Sequence, residues 1–181
     1  MDTIKIDVAQ IPQTTSDFQD LRHLLAGLIR DLTATAVLEI GTDVGDSSRI
    51  FSSVLQETGG HLWTVDIQPP KGDWLTNWPL KNISFIQGDS RQLKFNQKID
   101  LLFLDGDHTY ETVRHELFTL GRAVRAGGKI ACHDTLHSEF GPGIMRAIHE
   151  FSQLAKLPWT HYPYQHGLAV VEVTYELPAL G

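Results

Sequence analysis

From residue 36 onward, short apolar runs alternate with stretches of helical spacing. Runs of strand length fall at 36–40, 61–66, 83–87, 99–104 and 128–132, and helices are predicted over 46–57, 110–125 and 142–156. Strands alternating with helices in this way predict a parallel sheet covered on both faces. The run Ile99-Asp100-Leu101-Leu102-Phe103-Leu104 is nearly all apolar, as a central strand must be. Upstream, Asp17 suits the N-cap of an amphipathic helix from Phe18 to about Leu32, with Leu21, Leu24, Leu25, Leu28 and Leu32 at helical spacing. Residues 1–16 are polar and read as a loosely ordered arm before a single domain, 17–181. The end of the chain changes character. Trp159–Tyr164 and Leu168–Val173 alternate with period two around Gln165-His166-Gly167, an antiparallel hairpin. The expectation is a doubly wound, mostly parallel seven-stranded α/β sheet closed by that hairpin.

Composition narrows the class only a little. With 181 residues, 41% hydrophobic and 20% charged, the chain fits one globular domain. No apolar stretch is long enough for a membrane span, and no secretory leader pattern opens the chain. The single cysteine, Cys132, excludes an internal disulfide and fits a reducing cytoplasm. A net charge of −7 with scattered Lys and Arg argues against nucleic acid as a partner.

Chemistry enters at Val37-Leu38-Glu39-Ile40-Gly41-Thr42-Asp43-Val44-Gly45-Asp46-Ser47-Ser48, which reads as a buried strand, a tight turn and a helix N-terminus. Gly41 and Gly45 permit a sharp turn and close ligand approach, and the helix after Asp46 offers free N–H groups. A dinucleotide turn needs G-x-G-x-x-G. Here Asp43 stands at the second glycine position, and its carboxylate repels a pyrophosphate. A nicotinamide-dependent oxidoreductase is therefore disfavoured.

In a doubly wound sheet, ligands bind beyond the carboxyl ends of the strands. Glu39 and Asp43, Asp66, Asp89, Asp105 and Asp107, and Asp134 follow the five strands in turn. Any one of them also suits a helix N-cap; the repetition at every strand is what singles them out. Asp66 is placed to accept ribose hydroxyls, and Asp89 with Ser90 to meet an adenine amino group.

The turn E-x-G-x-x-x-G resembles motif I of the class I S-adenosylmethionine-dependent methyltransferases. Asp105-Gly106-Asp107-His108-Thr109-Tyr110, a long helix, then Gly127-Gly128-Lys129-Ile130-Ala131-Cys132-His133-Asp134-Thr135 sharpen that likeness. Over about residues 36–173 the chain resembles the family of cephalosporin-hydroxylase-like and macrolide-sugar O-methyltransferases, and more distantly the catechol and caffeoyl-CoA O-methyltransferases.

The resemblance implies a Rossmann-like methyltransferase fold and S-adenosylmethionine as cofactor, contacted by Glu39, Gly41, Asp43, Gly45 and Ser47 on the turn. Further contacts fall to Asp66, Asp89, Ser90 and Asp105. It implies a small hydroxylated acceptor, a sugar or phenolic natural product, and leaves a homo-oligomer open. It also implies a divalent cation, usually magnesium, at Asp105 and Asp134, with His108 as general base. One departure stands out: His133 precedes Asp134 where the sugar-modifying relatives carry glutamate, so His133 becomes a candidate metal ligand and magnesium a doubtful one. Asp107 reads as a helix cap rather than a ligand.

The loops 68–82, with Trp74 and Trp78, and 135–143, with His137 and Phe140, are the candidate acceptor walls, and helix 17–32 a candidate cover. His137 and His166 border the pocket, whereas His23, His115, His149 and His161 read as surface residues. A second reading stays open: a non-catalytic nucleoside-binding module that partners another protein.

Overall fold

Strand faces explain the architecture. In the computed structural model, which describes residues 21–164 and 166–178, alternate residues of each central strand feed two different cores. Val37, Leu101, Phe103 and Ala131 pack with Leu25, Ile29, Phe51 and Leu55 on one face. Leu38, Ile40, Leu102, Leu104 and Ile130 pack with Leu117, Ile148 and Phe151 on the other. A period of two loading both faces with apolar side chains leaves the strands nowhere but the middle layer.

The strands are β1 (Ala36–Ile40), β2 (His61–Asp66), β3 (Ile83–Gln87), β4 (Ile99–Leu104), β5 (Val124–His133), β6 (Trp159–Tyr162) and β7 (Leu168–Glu172). They form one sheet in the order β3-β2-β1-β4-β5-β7-β6. β1 to β5 pair in parallel, and β7 runs antiparallel to both β5 and β6. Helices α1 (Arg22–Asp31) and α2 (Asp46–Leu55) cover one face, and α4 (Tyr110–Thr119) and α5 (Gly141–Ala155) the other; α3 is one turn, Trp74–Asn77. β1 and β4 are neighbours although β2 and β3 lie between them in sequence. That reversal of winding opens a crevice at their carboxyl ends.

The differences from the sequence expectation are local. α4 stops at Thr119, and residues 120–123 tighten into a 3₁₀ turn where Gly121 passes under Ile130 and Phe151. A Cβ on Gly121 would stand 3.1 Å from Ile130 Cδ1, a tight contact that the missing side chain avoids. β5 starts at Val124 rather than 128, and its pairing with β4 shifts register between Ile99 and Leu101. The extra residues loop out around Gly127, at φ +87°. The arm 1–16 and the Asp17 cap lie outside the described residues, as does Gln165 of the hairpin turn. No helix among the described residues is long and apolar enough to cross a membrane.

Candidate active site

A cleft of about 550 Å3 opens where the switch in strand order predicts it, bounded by the ends of β1, β2, β3, β4 and β5. Seven aspartates and a single arginine stand among its described lining residues: Asp43, Asp46, Asp66, Asp89, Asp105, Asp107 and Asp134 against Arg91. Its two ends are built differently.

At the β1–β2 end, Gly41 takes φ +96°, and a Cβ there would fall 2.1 Å from the Asp105 carbonyl oxygen. The glycine thus lets the turn lie directly on the end of β4. Asp66 fixes the turn from the other side. One of its carboxylate oxygens accepts the amides of Thr42 (2.9 Å) and Asp43 (3.1 Å), and the other accepts that of Gln68 (2.9 Å). A carboxylate has about four acceptor positions, so Asp66 keeps capacity for a ligand hydroxyl. Asp43 lines the cleft, but its side chain turns outward to Lys71.

Two residues expected on the wall stand behind it. Glu39 is fully buried, and its carboxylate accepts the hydroxyls of Ser47 and Ser48. Burial pushes its pKa up to about 7, against the pull of those hydroxyls and Thr64. It braces Ser47, which does line the cleft, from the protein interior. Gly45, at φ +79°, is short for a packing reason: a Cβ would meet the Trp74 ring at 2.2 Å. Trp74 and Trp78 both meet α2, and Trp78 also packs against the core on that face of the sheet. Arg49 stacks on Trp74, and the Trp78 indole donates to Ser52 Oγ at 2.9 Å.

At the β3 end, Asp89 and Ser90 line the cleft as expected. Asp89 accepts the backbone amide of Arg91 and pairs with its guanidinium, and these bonds hold its pKa down to about 2. Ser90 donates to Glu116 at 2.5 Å. Glu116, on α4, is itself 1% exposed, and burial raises its pKa to about 7. Sequence reading passed over Thr42, Arg91 and Glu116. The signal for Glu116 was present: a carboxylate on the helix face that also carries Thr112, Val113 and Leu117, all buried.

The β4–β5 end is an imidazole–carboxylate cluster. His108 Nε2 sits 3.4 Å from Asp105 Oδ1 and 3.3 Å from Asp134 Oδ2. His133 Nδ1 lies 3.0 Å from Asp105 Oδ1 and 3.5 Å from Asp134 Oδ1, and His166 Nδ1 lies 3.5 Å from the latter oxygen. His108 is no helix cap: Thr109 caps α4, accepting the Thr112 amide, and Asp107 accepts from Thr109 N and Thr112 Oγ1. Burial lowers the His108 pKa, but the Asp105 bond and the charges of Asp105 and Asp134 outweigh it, and the net shift is upward. Asp105 is raised by burial and lowered more strongly by His133 and His108, so it stays below the usual carboxylate range.

Asp105, His108 and Asp134 bring three donor atoms within 4.8 Å of one another; His133, the expected third ligand, lies beside that triplet and outside it. Asp134 takes φ +59°, uncommon for a residue with a side chain. The loop after β5 flanks the cluster: Phe140 stands 5.9 Å from His108 and 4.9 Å from His137, which stacks on His166 at 5.9 Å. His161 is no idle surface residue; its Nε2 is 2.9 Å from Thr135 Oγ1 and ties β6 to this loop. Helix α1 contributes no lining residue to the cleft, and so does not cover it over the span described.

A family model described as a methyltransferase domain matches residues 38–135, more than half of the chain. The sequence finds no match among curated proteins. Solved structures share the fold. A putative caffeoyl-CoA O-methyltransferase from Staphylococcus aureus superposes with a TM-score of 0.69 at 18% identity, covering 91% of this chain and 86% of that one. An O-methyltransferase from Bacillus cereus in complex with S-adenosylhomocysteine gives 0.67 at 16% identity, covering 91% and 85%. The O-methyltransferase TomG from Streptomyces achromogenes, in complex with S-adenosylmethionine, gives 0.63 at 15%, covering 86% and 80%.

Proposed function

The chain belongs to the methyltransferase-domain family, and on that premise we propose that it transfers a methyl group from S-adenosylmethionine to a hydroxyl of a small molecule. One observation carries the reading: a single cleft joins a glycine turn braced by Asp66 to an imidazole held between two carboxylates. The names of the solved relatives, O-methyltransferases among them, support a hydroxyl as the acceptor.

The wall suits the cofactor. Even with Asp43, Asp46 and Asp89 paired to Lys71, Arg49 and Arg91, carboxylates outnumber cations at this wall, which favours a sulfonium cation and opposes a pyrophosphate. Asp66 accepts the ribose hydroxyls, the Gly41–Ser47 turn takes the methionyl end, and Asp89 and Ser90 face the adenine. When bound, the cofactor supplies one activated methyl group.

The remaining work belongs to the protein. His108 Nε2 takes the proton of the acceptor hydroxyl, and Asp105 and Asp134 stabilise the imidazolium that forms. Holding oxygen and methyl carbon in line removes an entropic cost the free reactants would meet. Phe140, His137 and His166 frame the acceptor with flat rings, which favours a small ring-bearing body.

Magnesium is a poor match for this donor set. It demands oxygen ligands, whereas imidazoles of His108 and His133 already occupy the flanks of both carboxylates. No step of the transfer depends on it. Calorimetric titration tests the reading: S-adenosylhomocysteine binds and NAD does not, and labelled methyl then passes to members of a sugar and phenol panel. Binding of NAD in place of the nucleoside thioether would overturn it.

A further inference from the structure

Glu116 is a buried acid that the transfer described above does not use. It stands on α4, 1% exposed and outside the lining of the cleft, and its hydrogen-bond partner is the Ser90 hydroxyl at 2.5 Å. Burial raises its pKa to about 7, and the charges of Asp107 and Asp89 add to the rise, against the pull of Ser90 and His108. A carboxyl buried beside two other acids weakens the fold rather than holding it. Its position behind the wall of a cleft points to a task there.

Ser90 is the link. A hydroxyl has one hydrogen and two lone pairs. Ser90 gives its hydrogen to Glu116, so it turns only lone pairs toward the cleft it lines. Asp89, its neighbour, is occupied: one oxygen accepts Arg91 N and Nε, and the other accepts Nε and Nη2. The same bonds engage those two guanidinium nitrogens. Reading the polar edge of a base at the β3 end therefore falls to Ser90, and Ser90 reads as an acceptor. A purine with an amino group at its 6-position offers hydrogens to that acceptor. A 6-oxopurine brings lone pairs to lone pairs and leaves both oxygens without a partner.

We propose that Glu116 makes the cleft select a 6-aminopurine over a 6-oxopurine, by holding the Ser90 hydroxyl so that it can only accept. Glu116 touches no ligand; it is a positioning residue that acts through Ser90. The inference rests on the methyl-transfer reading, in which Asp89 and Ser90 face the adenine.

Calorimetry at pH 8, where the Glu116 carboxylate predominates, compares S-adenosylhomocysteine with its 6-oxo counterpart, S-inosylhomocysteine. The wild-type protein is expected to bind the adenosyl form about tenfold more tightly, the ratio one such hydrogen bond supplies. Glu116→Gln keeps the shape but can donate to Ser90, which frees the hydroxyl hydrogen for the cleft. The ratio should then fall below about threefold, chiefly because the inosyl form binds better. Ser90→Ala should also flatten the ratio, by weakening the adenosyl form instead. A measurement on the wild-type protein needs no variant: the amino hydrogens of nitrogen-labelled S-adenosylhomocysteine should move downfield in NMR on binding. An undiminished ratio in Glu116→Gln, equal weakening of both ligands in that variant, or unmoved amino hydrogens would each overturn the proposal. Equal loss is what a merely structural role would give. Wild-type protein that binds both ligands alike would sink the role of Glu116 and leave the proposed function standing, whereas protein that binds neither would sink both.

Discussion

The two ends of the cleft use carboxylates for opposite purposes. At the β1–β2 end, acceptor oxygens meet backbone amides and hydroxyls: Asp66 holds Thr42, Asp43 and Gln68, and Glu39 holds Ser47 and Ser48. Those partners cannot titrate, so this end is a fixed mould. At the β4–β5 end, Asp105 and Asp134 meet imidazoles, which exchange protons and ligate metals. Rigidity and reactivity are thus distributed by the choice of partner, not by the carboxylate. Gly41 is the seam, because its missing Cβ is what lets the turn rest on Asp105.

The sharpest way to split the two ends is His108→Ala. Loss of a general base should lower turnover by about 10²–10⁴-fold, while affinity for S-adenosylhomocysteine, measured by calorimetry, stays at the wild-type level. Equal losses in both would mean that the ends are not independent. Gly41→Ala tests the seam. A left-handed backbone and an overlap at 2.1 Å with the Asp105 carbonyl should cost on the order of 3–4 kcal/mol in denaturant unfolding and damage both ends together.

The fixed end carries a pH signature of its own. The folded pKa of Glu39 is about 7 against an ordinary 4.5. Below pH 4.5 the carboxyl is protonated in both states and its contribution to stability is whole. Between pH 4.5 and 7 only the unfolded chain releases the proton, so stability falls as pH rises, by up to about 3 kcal/mol, and levels off above 7. Glu39→Gln should reduce that slope in unfolding measured from pH 4.5 to 8 and leave the share due to Glu116, whose pKa is also about 7; an unchanged slope would assign it wholly to other groups. The smallest effect belongs to Trp78→Phe, which removes the indole bond to Ser52 Oγ and a little of the ring's packing on the core. It should lower stability by about 1 kcal/mol and leave turnover at the other end untouched.

The fixed end was largely legible in the sequence, because its logic is local. Strand, glycine turn, helix and the following acidic residue lie close in the chain, and each has a conformational signature. What misled there was depth. Glu39 and Gly45 read as ligand contacts, yet one is buried under two serines and the other makes room for Trp74. Helix α1 read as a cover and is packed instead into the apolar core beside α2.

Geometry between chain neighbours was enough for the strand periodicities, the turn at Gly41 and the aspartates at the strand ends, so all three could be read from residue order. The family resemblance brought Asp105, His108, His133 and Asp134 to one site and left His166 at its border, but residue order alone could not give the pairing of His108, His133 and His166 with the two carboxylates. These five come from the ends of β4 and β5 and the turn before β7, and their side chains converge only through the packing of parallel strands and a returning hairpin. The same is true of the carboxyls at Glu39 and Glu116, whose pKa of about 7 is set by burial. Burial is a property of everything packed around a residue, and no stretch of neighbours encodes it.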